Sequence, residues 1–556
     1  MRNRLFVSLV LITMPLAAQV TSERLLHPER EPQNWLTYSG NYSGTRYSPL
    51  NQITSANVRD LELKWVYHPH ILKPSQIKLE VTPIVVDGVL YAGNAVEVSA
   101  IDAVTGRTFW TVRHALDPKA YYNAYETNKG VGISGNSVYW ATIDCHLIAI
   151  DAKTGVVEWD TVMADWQKGY QYNVPPLVVK DKVILGPATN EMGSNCWVAA
   201  YDAKTGKEVW RTWTAPQSAD DPAAKSWVGD SWKHAGNPIW NAGSYDPETN
   251  LTFWGIGNPN PGWNGDTRLP ADNLYSDSVI ALDADTGKLK WYFQFTPGDE
   301  YDWDSTQVPV LADMQWKGQP RKVMMWANRN GHFYVLDRTD GKFLMAKAFV
   351  KQNWEVGIDE NGRPIKAPGM WPKPQGRVFV EPGTQGGTNW YPPSFSPRTG
   401  LFYLSVWANY SAYSPKYDAG PWTPRKRYSG STPPPGTPPP PAGSSARLGA
   451  GFRSEDEGYG AIFALDPATG ERKWQFKMVG FTENGVLSTG GDLVFGGGMD
   501  GDFVALDAHT GELLWHVNLG GANASGPMSY AVNGKQYIVG TGEGAVYSFG
   551  LPDRTQ

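Results

Sequence analysis

The chain has 556 residues, 41% hydrophobic, 13% aromatic and only 19% charged, so it can bury a large core and is neither intrinsically disordered nor polytopic in a membrane. Its 59 glycines and 42 prolines require frequent turns and exclude coiled coil and collagen. A formal charge of −6 with no basic run gives nucleic acid no electrostatic footing, and the two cysteines, Cys145 and Cys196, suit neither a tetrathiolate zinc site nor a C-x-x-C-H haem attachment.

Arg2 and Arg4, the apolar stretch 5–16, then Ala17 and Ala18 read as a secretory signal over 1–18, too short in its apolar part to span a bilayer comfortably. No cysteine follows it to carry a lipid, so the expectation is a periplasmic protein without a membrane anchor, one domain over 19–556. Next in the chain, Leu63-Lys64-Trp65-Val66 is expected to add one blade before a series in which one phrase recurs: an apolar pair, Asp, two residues, Thr-Gly, three residues, Trp. The phrase runs from Ala100-Ile101-Asp102 through Thr105-Gly106 to Trp110, and returns in segments closing at Trp159, Trp210, Trp291, Trp474 and Trp515. A weaker copy runs from Val335 through Asp337 and Gly341 to Met345. The period is about 40 to 50 residues wherever nothing intervenes. The long gap before Trp474 contains another strand-turn-strand, Ser394 to Gly400 followed by Leu401-Phe402-Tyr403-Leu404, and so is expected to hide a blade plus an insertion.

Each phrase predicts a β-hairpin in which Asp hydrogen-bonds turn backbone, Gly takes positive φ and the closing Trp docks between neighbouring sheets. Such a unit cannot bury both faces alone, and about eight stacked radially close into an all-β, eight-bladed propeller; a two-sheet sandwich is the alternative. The Pro-rich stretch 431–445 reads as a surface loop.

Several generic motifs dissolve on inspection. Gly496-Gly497-Gly498-Met499-Asp500-Gly501 matches G-x-G-x-x-G, but an alternating strand follows it where a dinucleotide fingerprint must open a helix, so a hairpin turn is expected. The nine histidines are scattered, and the close pair His68 and His70 reads as solvated loop without carboxylate partners. What remains is polar residues at apolar or Gly-rich strand ends: Glu191, Asn258, and the run Asp299-Glu300-Tyr301-Asp302-Trp303-Asp304. Carboxylates and an amide oxygen are hard donors, suited to Ca²⁺ or a larger trivalent ion if the ring brings them to its axis. Alone, the acidic run reads as a solvated loop, but alternation on an extended segment points Asp302 and Asp304 the same way.

On these residues, and on Glu80-Val81-Thr82-Pro83, Gly257-Asn258-Pro259, Thr296-Pro297-Gly298-Asp299-Glu300 and Asn328-Arg329-Asn330-Gly331, the chain resembles the pyrroloquinoline quinone (PQQ) dependent alcohol dehydrogenases of the methanol and ethanol dehydrogenase type. The resemblance implies an eight-bladed propeller with PQQ and a metal on its axis. It implies Glu191 and Asn258 as metal ligands, Asp302 as general base and ligand, Arg329 on the quinone oxygens, Trp240 as the stacking indole and Glu80 as a polar PQQ contact. Lys129 and Asn173 stand where the family has Arg and Thr near the cofactor carboxylates, and Asn389 is a further contact. Asp304 completes the Asp-x-Asp pattern of lanthanide members, so the resemblance implies a lanthanide ion, with Ca²⁺ as the alternative. The family's adjacent-cysteine disulfide is missing; Tyr122 or Tyr125 stands there as a candidate lid. Thr482-Glu483-Asn484 replaces the tryptophan commonly found before Gly485. The expected function is oxidation of a primary alcohol, with electrons passed to a separate cytochrome c and a homodimer as a possible assembly. A non-catalytic scaffold of the outer-membrane assembly type, or a quinoprotein for a sugar, polyol or bulkier alcohol, are the alternatives.

Overall fold

The structure is a computed structural model that describes residues 19–70, 79–117, 119, 127–189, 191–370, 376–433, 435–436 and 458–553. The expected signal 1–18, Tyr122, Tyr125 and most of the Pro-rich stretch lie outside these residues. Eight blades follow one another around the ring, seven of four antiparallel strands and one, the seventh, of five, in which Tyr47–Ser48 adds in parallel to the innermost strand Leu487–Thr489. The first consists of Ile84–Val86, Val89–Gly93, Glu97–Asp102 and Thr108–Arg113, paired in chain order. Four more blades with the same order occupy the chain from Gly132 to Ala348.

Two expectations about blade membership are corrected. The pair Ser394–Phe395 and Phe402–Ala408 forms one sheet with Tyr459–Leu465 and Arg472–Lys477, so the hairpin closing at Trp474 is the outer half of that same sixth blade and no additional blade is hidden there. Nor does Leu63-Lys64-Trp65-Val66 begin a blade of its own. Its strand, Glu62–Tyr67, pairs with the C-terminal strand Ala545–Gly550 and completes the eighth blade, so the two ends of the chain close the ring by backbone hydrogen bonds.

The recurrent phrase is the hairpin between third and fourth strands. In the first blade Asp102 Oδ1 accepts from the N–H groups of Val104 and Thr105 at 2.8 and 3.2 Å, and Gly106 has φ +74°. Six closing indoles, of Trp65, Trp110, Trp159, Trp210, Trp291 and Trp474, dock over the glycine of the next blade's turn. Trp65, Trp110, Trp159, Trp210 and Trp474 donate Nε1–H to the carbonyls of Ala103, Ala152, Ala203, Ala284 and Ala508, 3.0 to 3.3 Å away, always the residue after the turn's Asp. The turn glycine lies under the ring: a Cβ at Gly155 would stand 2.9 Å from Trp110 Cδ2.

The central channel is crossed by the segment 35–48. Trp35 bridges Val85 of the first blade, and Tyr42 Oη donates to Val178 O of the third at 2.7 Å. The carbonyls of Tyr42, Ser43, Thr45 and Arg46 then accept from Tyr245, Leu311, Phe395 and Ser488, on the inner strands of the fourth to seventh blades. Arg46, wholly buried, donates to Pro527 O, Tyr38 O and Thr82 Oγ1, and burial pulls its pKa down to about 10.

Candidate active site

The sites singled out in the sequence lie on two kinds of loop at one face of the ring. Glu80, Lys129, Asn173, Trp240, Asp302, Asp304 and Asn389 precede innermost strands; Glu191, Asn258 and Arg329 follow second strands. Antiparallel order within a blade puts both kinds of loop at the same end of the sheet.

Arg329 gathers the acidic pair. Its Nη2 lies 3.3 Å from Asp302 Oδ2 and donates to Thr384 O at 2.7 Å, while Nη1 donates to Asp304 Oδ2. Asp304 Oδ1 also accepts from the Asn258 backbone N–H at 2.9 Å. Asn258 Nδ2 donates to Pro259 O, which commits the nitrogen end of that amide and leaves its oxygen as the donor a cation would use. Asp302 and Glu191 both occupy left-handed backbone, at φ +64° and +62°. Burial pushes the Asp302 carboxyl well above the carboxylate range against the pull of Arg329, and Asp304 and Glu191 add to the rise. Burial likewise raises Glu191, opposed by Arg427, whose Nε donates to its Oε2 at 2.9 Å. The carboxylates of Glu191, Asp302 and Asp304 do not all converge within 4.8 Å, since Arg329 stands between the two aspartates.

The remainder of the acidic run is structural. Asp299 accepts from the N–H groups of Tyr301 and Trp303, each at 3.0 Å, and so bends the stretch that presents Asp302 and Asp304. Buried Glu300 accepts from Gly265 N–H at 2.9 Å.

A second group forms beside this one. Lys129 Nζ, 1% exposed, donates to Glu80 Oε2 at 2.9 Å and lies 4.6 and 5.2 Å from the ring centroids of Trp390 and Trp240. The Lys129 backbone N–H donates to Asn173 O, while Asn173 Oδ1 is buried without a partner. Asn389 is turned inward on its own loop, donating to Gln385 and accepting from Trp390 N–H at 2.8 Å, so its amide is spent on shaping the loop. That loop joins the two groups: Thr384 O meets Arg329, and Trp390 meets Lys129 and, through its carbonyl, Asn241.

The residues fit a quinone and a hard cation. Three carboxylates and an amide supply oxygen donors, and burial without enough positive charge is what raises Asp302 and Glu191. The partnerless Asn173 Oδ1 and Arg329 Nε are polar atoms that a bound polar ring system could satisfy.

Sequence reasoning missed Arg427, the Thr384 carbonyl and Asp277. Asp277 is wholly buried, its oxygens have no hydrogen-bond partner, and burial with the charges of Asp299 and Asp304 pushes its pKa far up. No local motif marks any of the three. His68 and His70 are exposed loop residues, as the sequence suggested, and the His70 backbone N–H donates to Glu97 at 2.7 Å. The Gly496–Gly501 stretch is the expected hairpin turn, between Leu493–Gly497 and Asp502–Asp507. Cys145 and Cys196 are buried free thiols.

Comparison with known proteins agrees with this geometry. The family model described as "PQQ: Glucose/ethanol/alcohol dehydrogenase, beta-propeller domain" matches residues 35–348 and 359–538. A quinohemoprotein alcohol dehydrogenase of Comamonas testosteroni is 38% identical over 92% of this chain and 73% of its own length. The quinoprotein alcohol dehydrogenase PedH of Pseudomonas putida is 35% identical over 97% of this chain and 91% of its own. A solved europium-containing methanol dehydrogenase superposes with a TM-score of 0.85 at 30% identity, covering 95% of this chain and all of that one. The chain belongs to the PQQ-dependent alcohol dehydrogenase family. It is an enzyme of that activity, built on the family's eight-bladed propeller.

Proposed function

We propose that the chain oxidises a primary alcohol to its aldehyde in the periplasm, with a lanthanide as its metal and a separate cytochrome c as electron acceptor. The observation that carries this reading is the convergence of Asp302, Asp304, Asn258 and Arg329 in one hydrogen-bonded group beside Glu191. When bound, PQQ supplies the hydride acceptor and the cation polarises its C5 carbonyl as a Lewis acid. With a cation beside it to offset the burial that raises its pKa, Asp302 would be held ionised and would take the alcohol proton as a general base. Arg329 orients Asp302 and Asp304 together. Glu191, Asn258, Asp302 and Asp304 would hold the cation, and the third carboxylate favours a trivalent ion by Coulomb attraction. Trp240 and Trp390 present aromatic faces beside the Glu80–Lys129 pair, which would meet the cofactor's polar edge together with Asn173.

A europium-containing relative supports the metal assignment. Export rests on the signal-like segment 1–18, and an acceptor outside the propeller on the two buried cysteines there, 51 residues apart in sequence, which do not form a haem-attachment motif. Reconstitution with PQQ and either La³⁺ or Ca²⁺, followed by dye-linked oxidation of an alcohol panel, tests the reading. La³⁺ should support turnover of primary alcohols, and Asp304→Ala should abolish it while leaving quinone absorbance. A lanthanide response unchanged in Asp304→Ala would remove that residue from the metal site, and turnover with Ca²⁺ alone in the unaltered protein would reverse the metal choice.

A further inference from the structure

Away from the hub, the ring brings together two histidines 32 residues apart in the chain. His114 follows the outer strand of the first blade; Asp144 lies in the turn after the second strand of the second blade, and His146 opens that blade's third strand. The ligand atoms of His114, Asp144 and His146 all lie within 4.8 Å of one another, the one such His, Cys, Asp or Glu trio among the described residues. His114 Nε2 is 2.9 Å from Asp144 Oδ2, and the imidazole centroids of His114 and His146 are 4.7 Å apart.

The surroundings orient this trio. Thr142 Oγ1 donates to Asp144 Oδ1 at 2.5 Å, which fixes the carboxylate with Oδ2 toward His114. Asp160 Oδ1 lies 2.7 Å from His146 Nδ1. A carboxylate accepts only, so it holds the proton on Nδ1 and leaves Nε2 as the lone-pair nitrogen, the arrangement by which carboxylates prepare metal-binding histidines. Asp144 is 5% exposed, while His114 and His146 are 14% and 26% exposed, so the site is anchored yet open to solvent. Donors bound at about 2.0–2.1 Å in a tetrahedron stand roughly 3.3 Å apart, so the His114–Asp144 contact need widen by only a few tenths of an ångström to admit an ion. Cys145 is no ligand, since its Sγ donates to Tyr170 O at 3.2 Å.

We propose that His114, Asp144 and His146 form a second metal site, for a late first-row divalent ion such as Zn²⁺, closed by solvent and linking the first and second blades. Two imidazoles and one carboxylate are borderline donors that select such an ion over Ca²⁺ or a lanthanide, so the site is chemically separate from the hub. It does not depend on the quinone reading.

The test is zinc binding to chelator-stripped full-length protein near pH 7.5, by calorimetry and by competition with a chromophoric zinc indicator, with Co²⁺ as a visible-absorbance probe. One saturable equivalent is expected, with micromolar or tighter affinity and tetrahedral cobalt bands. His114→Ala and His146→Ala should each abolish that equivalent, and Asp160→Asn should weaken it by about 10–100-fold. Asp304→Ala, at the hub, should leave it intact, and circular dichroism of each variant confirms folding. No saturable equivalent in the unaltered protein would overturn the proposal, as would equal binding by folded His114→Ala or loss on Asp304→Ala.

Discussion

Asp302 and Asp304 are separated by one residue, yet both reach the same guanidinium because Asp299 accepts from the backbone of Tyr301 and Trp303 and bends the intervening stretch. The sequence paired these two carboxylates by alternation on an extended segment, whereas the segment is bent with Asp302 in left-handed backbone, and it is Arg329 that draws the two together. Their partner Arg329 was named by its Asn-Arg-Asn-Gly setting, but the pairing of Glu191 with Arg427, 236 residues away, has no local signal. At this scale the prediction concerns the base. Asp302→Asn keeps the shape of the side chain and an acceptor for Arg329 but loses the proton-accepting charge. Turnover of the reconstituted enzyme should fall by about 10²-fold or more, the scale of general-base loss, with quinone absorbance retained. Full-rate turnover would assign the proton to another group.

Among the elements, the outer hairpins show why the repeat was legible. Asp, Thr and Gly at fixed places are demanded by the turn itself, and the indole four residues after that glycine docks over the next blade's glycine wherever that blade has such a turn. Of the six docked indoles, one lacks the hydrogen bond. Trp291 faces a turn where Arg338 replaces the usual Ala after Asp337, and its buried Nε1 has no partner, although Gly341 still lies under the ring. Gly155→Ala should therefore cost about 1–3 kcal/mol in urea unfolding, from left-handed backbone strain with displacement of Trp110 added. Gly534→Ala is the comparison: its φ is +75°, but no heavy atom lies within 4 Å of the added Cβ, so it should lose less. Equal losses at the two sites would show that the glycine matters for the turn alone and not for docking between blades.

Over the whole molecule, the segment 35–48 and the pairing of Glu62–Tyr67 with Ala545–Gly550 tie the ring together, burying Tyr38 and Tyr67, and the blades bury further tyrosines such as Tyr139. Burial pushes Tyr38, Tyr67 and Tyr139 up to about 12. A native pKa above the unfolded value of about 10 means that the native state holds more protons between those limits, so this stability is complete below about pH 10 and is lost as pH rises through about 12. Each such tyrosine removes up to about 1.4 kcal/mol per pH unit in that window. Lys366, which burial pulls down to about 8, acts oppositely: the unfolded chain binds more protons from there to about pH 10.5, so its contribution rises over that range. Urea midpoints measured from pH 9 to 12, alongside phenolate absorbance, should decline above about pH 10.5, with phenolate appearing together with unfolding. Phenolate formation well before any loss of structure would show these hydroxyls to be accessible.

By itself the sequence determined the hairpin, its repetition, the ring that repetition implies, and the chemical types at the loops above the hub, because turn geometry, alternation and donor hardness are properties of short stretches. Only the tertiary structure decided that Glu62–Tyr67 belongs to the last blade, that 35–48 crosses the channel, that Arg427 reaches Glu191, and that His114 meets Asp144 and His146. Each of these is a contact between segments far apart in the chain. Closing the ring, not any local preference, sets which of them become neighbours.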